Sequence, residues 1–139
     1  MNAAAIAEYS YLIIDDDKLS RDLIAGVLRK QGVSRIAIAD GGKAAADHIK
    51  AGGLPDIVIC DLNMPEFNGI EFLHYLADSS FNGGIMLVSG TNSVIMNAAK
   101  KLGNARALDM LGVLPKPFMP DDLIRPLSMY EKNSRIAVS

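Results

Sequence analysis

The stretch Asp56-Ile57-Val58-Ile59-Cys60-Asp61 decides the fold. Its first five residues, DIVIC, read as a strand, and an acid follows directly. The apolar run is unbroken, with no polar residue at every second position. A strand of this kind is covered on both faces, as in a parallel sheet flanked by helices. Similar short runs lie on either side: YLII at Tyr11 to Ile14, RIAIA at Arg35 to Ala39, IMLVS at Ile85 to Ser89, and GVL at Gly112 to Leu114.

Helix-like stretches separate these runs. Leu19, Leu23, Val27 and Leu28 recur at helical spacing, and Gly32 ends that pattern. An alanine-rich helix is expected over about Lys43 to Ala51, closed by Gly52 and Gly53. The next begins near Asn68, which with Glu71 resembles a capping box. Val94, Ala98 and Leu102 share one face of a long helix that Gly103 is expected to break. The segment from Ala105 to Leu111 reads as a further helical turn or a loop. A last helix starts at Pro120, with Asp121 and Asp122 at its positive end, and Pro126 should kink or shorten it. Five alternations of strand and helix predict a doubly wound α/β domain.

The chain has 139 residues, half of them hydrophobic, which suits one domain with a real core rather than a disordered segment. A net charge of −2 argues against a dedicated nucleic-acid binder. Cys60 is the only cysteine, so no internal disulfide can form, and a reducing cytoplasm is the expected setting. No apolar run reaches transmembrane length, and the first ten residues lack the pattern of a secretory signal. The domain is expected over residues 9–130. Residues 1–8 form a short, partly disordered leader in this reading, and 131–139 a tail or linker.

In doubly wound folds ligands sit beyond the carboxyl ends of the strands. Asp15 and Asp16 follow the first strand, Asp61 the third, Ser89 closes the fourth, and Lys116 follows the fifth. Three carboxylates on one rim repel unless a cation joins them. Oxygen donors without a histidine or thiolate partner suit a hard ion, magnesium first. A hydroxyl and an ammonium beside such an ion suit phosphate oxygens. The rim therefore reads as a phosphoryl site with a carboxylate as candidate nucleophile. Each residue also has a plainer reading. Acids favour helix starts, which accounts for Asp17, and a lone Asp after a strand is commonly a turn residue. Agreement among four strand ends is what the plainer readings do not predict.

The pieces LIIDDDKLSR, DIVICDLNMPEFNGIEFL, IMLVSGT and LPKPF, in this order, resemble the receiver domains of bacterial two-component response regulators. The resemblance covers about Tyr11 to Leu127. It implies a flavodoxin-like fold with strand order 2-1-3-4-5. It implies that Asp61 takes phosphate from a sensor histidine kinase or phosphotransfer protein. It further implies that Asp16, Asp61 and the backbone carbonyl of Asn63 ligate Mg2+, with Asp15 acting mainly through ordered water. Ser89 stands where the family has a hydroxyl that swings to the phosphoryl group, Lys116 where a lysine pairs with a phosphate oxygen, and Gly90 where small residues leave room. Asn63 and Thr91 occupy positions that tune spontaneous dephosphorylation. A downstream output domain or protein and a second copy of the chain are the other partners implied, with no direct nucleic-acid or membrane contact and no turnover enzyme activity.

Four features depart from the family pattern. Val113 replaces a frequent aromatic, Pro115 precedes Lys116, the segment between Ser89 and Lys116 is long, and Pro126 interrupts the last helix. The long segment together with LGVLPKPF is similar to receivers that precede EAL-type cyclic-di-GMP phosphodiesterase domains. Two other functions fit the residues less well. An aspartate-nucleophile phosphatase would need Asp-x-Asp spacing, which Asp15-Asp16 lacks and where Asp61-Leu62-Asn63 offers Asn instead of an acid. An interaction module that signals without phosphorylation would not need the intact site. Cys60 reads as a small core residue, His48 and His74 as helix residues without ligand partners, and Arg21, Lys100 and Lys101 as solvated charges.

Overall fold

Every apolar run forms a strand, and the ends of the strands align. The structure, a computed structural model, describes residues 3–64, 69–90 and 93–130. In chain order the elements are α1 (Ala3–Glu8), β1 (Tyr11–Ile14), α2 (Lys18–Lys30), β2 (Ile36–Ala39), α3 (Gly42–Gly52), β3 (Ile57–Asp61), α4 (Gly69–Asp78), β4 (Gly84–Ser89), α5 (Ser93–Ala105), β5 (Asp109–Pro115) and α6 (Pro120–Ser128). The five strands form one sheet in the order β2-β1-β3-β4-β5, and all four pairings are parallel. Ile14 lies beside Cys60, Asp61 beside Val88, and Ser89 beside Pro115. The register thus brings Asp15, Asp61, Ser89 and Lys116 to one rim.

Strand side chains alternate between the two faces of a sheet. Leu12, Ile14, Val58, Cys60, Ile85 and Leu87 pack on one face with Ala45 and Ile49 of α3, Phe72, Leu73 and Leu76 of α4, and Ala99 of α5. Tyr11, Ile13, Ile57, Ile59, Met86, Val88 and Leu114 pack on the other with Ile24 and Leu28 of α2, Leu123 and Leu127 of α6, and Ile6 of α1. Each fully buried aliphatic side chain contributes about 1.5–3 kcal/mol. The central strands β1, β3 and β4 are buried along their whole length, which explains their unbroken apolar runs.

Asp17 caps α2 and accepts from the Leu19 N–H at 3.3 Å, the role expected of it. At the other end Gly32 takes φ +90° and the Val33 N–H reaches the Leu28 carbonyl, so a left-handed residue closes the helix. The buried stripe of α2 is Ile24, Ala25, Val27 and Leu28, however, and Leu19 and Leu23 face solvent, Leu19 at 77% exposure. Their spacing matched the helix period but not the side that meets the sheet.

Four further expectations are corrected. Residues Ala3–Glu8 are helical rather than a loose leader. Ile6 is fully buried, its carbonyl accepts from the Tyr11 hydroxyl at 2.8 Å, and the Tyr9 and Tyr130 rings meet edge to face at 5.2 Å. Gly103 does not break α5, which runs through it to Ala105. A Cβ there would lie 2.3 Å from the Met110 sulfur, so the glycine admits a β5 side chain against the helix. The inward face of α5 carries Ala99, Leu102 and Gly103, whereas Val94 and Ala98 point outward. The strand expected at Gly112–Leu114 extends over Asp109–Pro115, and its register shifts between Ile85 and Met86. Pro126 sits in the last turn of α6, which ends two residues later at Ser128. The capping residue Asn68, the position Thr91 and the tail 131–139 lie outside the described residues.

Candidate functional site

The β3 strand delivers Asp61 to the rim at 3% exposure, and the turn after β1 delivers Asp15 at 1%. Each acid is fixed by a local turn. The Asn63 N–H donates to Asp61 Oδ1 at 2.7 Å, and the Asp17 N–H donates to Asp15 Oδ1 at 2.9 Å. Arg21 also donates to the Asp15 backbone carbonyl at 3.0 Å, so it is a brace for this turn rather than a solvated charge. Asp16 is exposed at the mouth. Carboxylate oxygens of Asp15, Asp16 and Asp61 all lie within 4.8 Å of one another.

Lys116 faces two of these three acids. Lys116 Nζ lies 2.8 Å from Asp61 Oδ2 and 3.4 Å from Asp15 Oδ2. Its backbone N–H donates to the Ser89 carbonyl at 2.9 Å, which ties the end of β5 to β4. Since the Lys116 N–H points inward to β4, the donor that Pro115 lacks falls on the open edge of the sheet, where a proline is tolerated. Burial pushes the Asp61 carboxyl above the ordinary carboxylate range, with the charge of Asp15 adding to the rise and Lys116 and the Asn63 amide opposing it. Burial would lower Lys116, but its hydrogen bond to Asp61 and the charges of Asp61 and Asp15 outweigh that, and it is held above the ordinary lysine value. The lysine therefore stays protonated at neutral pH.

Ser89 lies at the rim but not with the acids. It is 1% exposed, and its hydroxyl donates to Asn63 Oδ1 at 2.7 Å. The Gly90 N–H donates to the same oxygen at 2.6 Å. Strand alternation gives the reason. Asp61 follows Ile57 and Ile59 in facing the α2 and α6 side, as Asp15 follows Tyr11 and Ile13, and Lys116 follows Leu114. Ser89 follows Ile85 and Leu87 in facing the α4 and α5 side. The resemblance gave Asn63 a backbone carbonyl for the metal and a position that tunes dephosphorylation, but no partner for its side chain. Its side-chain contacts span 26 and 27 residues across the rim, and no local spacing signals them.

The remaining candidates take plainer places. Burial first, then Asp61 and Asp15, push the Cys60 thiol well above its ordinary value, so it stays a core thiol. His74 Nδ1 lies 2.7 Å from an Arg106 nitrogen, and Arg106 also pairs with Asp78 at 2.6 Å, which staples α4 to the turn after α5. Among the described residues no helix is long and apolar enough to cross a membrane.

A doubly wound parallel sheet with three acids and a lysine at its carboxyl rim defines a class of α/β domain that binds its ligand beyond the strand ends. Comparison with known proteins narrows the class. The model of the response regulator receiver domain matches residues 11–128, and the chain belongs to that family. It is similar to the chemotaxis protein CheY of Thermotoga maritima, 30% identical over 123 residues, covering 87% of this chain and 96% of that protein. It is 28% identical to the cyclic di-GMP phosphodiesterase RocR of Pseudomonas aeruginosa over 123 residues, covering 88% of this chain and 31% of RocR. The solved structure of Vibrio cholerae CheY4 superposes with a TM-score of 0.71 at 27% identity, over 86% of this chain and 95% of that one. The chain spans only 22% to 31% of the length of several larger relatives it matches. The acidic pocket is consistent with a phosphoacceptor and divalent-metal site.

Proposed function

We propose that Asp61 accepts a phosphoryl group from a phosphohistidine of a sensor kinase or phosphotransfer protein, with Mg2+ as cofactor. The observation that carries this reading is the convergence of Asp15, Asp16 and Asp61 within 4.8 Å, with Lys116 held 2.8 Å from Asp61. Three carboxylates against one ammonium leave an excess of negative charge. An all-oxygen donor set of that sign fits a hard divalent ion. Asp15, Asp16, Asp61 and the Asn63 carbonyl would hold it. When bound, Mg2+ neutralises the cradle and the charge of the transferring group.

The chain's own part is positioning and electrostatics. The Asn63 N–H fixes one Asp61 oxygen and so aims the carboxylate. An Asp61 oxygen attacks phosphorus in line, the O–P bond forms, and the P–N bond breaks with its electron pair going to the imidazole. Lys116 is placed to balance charge on the phosphoryl oxygens. The acyl phosphate then biases the loop after β4 through Ser89, a two-state change driven by a local charge. Asn63 supplies no acid at the site, and its side-chain oxygen is occupied by Ser89 and Gly90, which disfavours a phosphatase reading. In this reading the domain is a cytoplasmic switch without turnover of its own. The relatives differ in output, among them a cyclic di-GMP phosphodiesterase and a protein-glutamate methylesterase, and the partner of this domain is a downstream output domain or protein.

Acetyl phosphate with Mg2+ should add one phosphoryl group, read as intact mass, and Asp61→Ala should abolish it. A folded wild-type protein whose mass does not change would overturn the assignment.

A further inference from the structure

We propose that the Asn63 side chain is a latch that holds the switch hydroxyl away from the phosphoacceptor before phosphorylation. The inference rests on the phosphoacceptor reading of Asp61 and names a restraint on the same site. Asn63 Oδ1 accepts two hydrogen bonds, from the Ser89 hydroxyl at 2.7 Å and from the Gly90 N–H at 2.6 Å. The second bond fixes the orientation of the amide, because a backbone N–H can only donate and the atom facing it must be the oxygen. Both donors belong to the end of β4, and the acceptor belongs to the turn after β3. One side chain therefore ties the backbone just after β3 to the last residue of β4 and the one that follows it.

The tie has a direction. Ser89 faces the α4 and α5 side of the sheet, whereas Asp61, Asp15 and Lys116 face the α2 and α6 side. For the hydroxyl to meet a group on Asp61 it must leave Asn63 and turn about the end of β4. The Gly90 amide, part of the same peptide run, must then give up or rearrange its own bond. Asn63 opposes both movements. It touches no reacting atom in this role, and it acts through Ser89 and Gly90 as a positioning residue. The backbone N–H of Asn63 separately holds Asp61, so removal of the side chain alone leaves the acid's own turn intact.

The probe is beryllofluoride with saturating Mg2+, titrated into the full chain. Asn63→Ala should bind it more tightly than wild type by roughly threefold to tenfold, the size of one or two released hydrogen bonds. Gly90 amide hydrogen exchange without beryllofluoride should speed up by a similar factor. Asn63→Asp keeps an acceptor oxygen and should restore slow Gly90 exchange. In a Ser89→Ala background the gain from Asn63→Ala should shrink, since one of the two restrained groups is gone. Wild type that binds beryllofluoride, with Asn63→Ala binding equally or more weakly, overturns the latch. Wild type that does not bind at all overturns the phosphoacceptor reading beneath it.

Discussion

Removal of the charge on Asp61 should make the metal-free protein more stable. Two carboxylates within 4.8 Å repel by ~3 kcal/mol at an effective dielectric of about 20. The attraction between Asp61 and Lys116 at 2.8 Å opposes this, and burial of Asp61 decides the balance against the ionised form. In Asp61→Asn the lysine is not stranded, because Asp15 remains 3.4 Å away and Lys116 is 28% exposed. The Asn63 N–H keeps an acceptor in the new amide. The expected gain at pH 7 is about 1–2 kcal/mol, less than the full ~3 kcal/mol repulsion because the lost Lys116 attraction offsets part of it. That corresponds to about 3–7 °C in Tm for a domain of this size. The sign with pH follows from linkage. The Asp61 pKa is raised in the folded state, so the folded protein takes up a proton before the unfolded chain does. Wild type therefore loses stability as pH rises from the ordinary carboxylate value through the raised one, and recovers it on acidification. The gap between variant and wild type should be widest near neutrality and close towards pH ~4. Urea unfolding in chelator at several pH values measures this, and a repeat with Mg2+ should narrow the gap by stabilising wild type. An Asp61→Asn protein less stable than wild type at pH 7 in chelator would refute the electrostatic account of the site.

Other substitutions test other parts of the structure. Lys116→Met leaves Asp15 and Asp61 buried without a cation and should lower stability by about 2–4 kcal/mol in urea, with Asp61→Asn in the same chain restoring part of the loss. Ile6→Ala should cost about 2–4 kcal/mol by the same measurement, and no loss would mean that α1 is not part of the core. A methyl at Gly103 would lie 2.3 Å from the Met110 sulfur unless that side chain moves, so Gly103→Ala should fall short of the roughly 1 kcal/mol that Ala gains over Gly inside a helix. Met110→Ala in the same chain should recover stability if that contact is the cause.

The sheet was legible because burial on both faces leaves a plain mark, the runs YLII, DIVIC and IMLVS. The rim followed from the fold, since the residue after each strand is placed by the strand itself. What stayed hidden depended on contacts between distant residues. Ala3–Glu8 has the alanine content of a helix, but six residues do not hold a helix alone, and its support comes from Ile6 in the core and the Tyr9–Tyr130 contact. Gly103 looked like a breaker because its partner Met110 lies on another element. Leu19 and Leu23 matched the helix period, yet periodicity does not say which side meets the sheet. The acids, the lysine and Ser89 could be named from position, while the pairing of Ser89 with Asn63 could not.

The partition of the rim by strand alternation has a consequence for how this switch can be rewired. Whether a residue belongs with the acid or with the hydroxyl is a matter of odd and even count along its strand. Insertion of one residue at the start of β4, before Ile85, would carry the hydroxyl to the acid's side but would turn Ile85, Met86, Leu87 and Val88 inside out. The separation of Ser89 from Asp61 is thus protected by arithmetic that the hydrophobic core itself enforces. Retuning has to happen beyond Val88, where the last peptide units of the strand can turn without exchanging the two halves of the core.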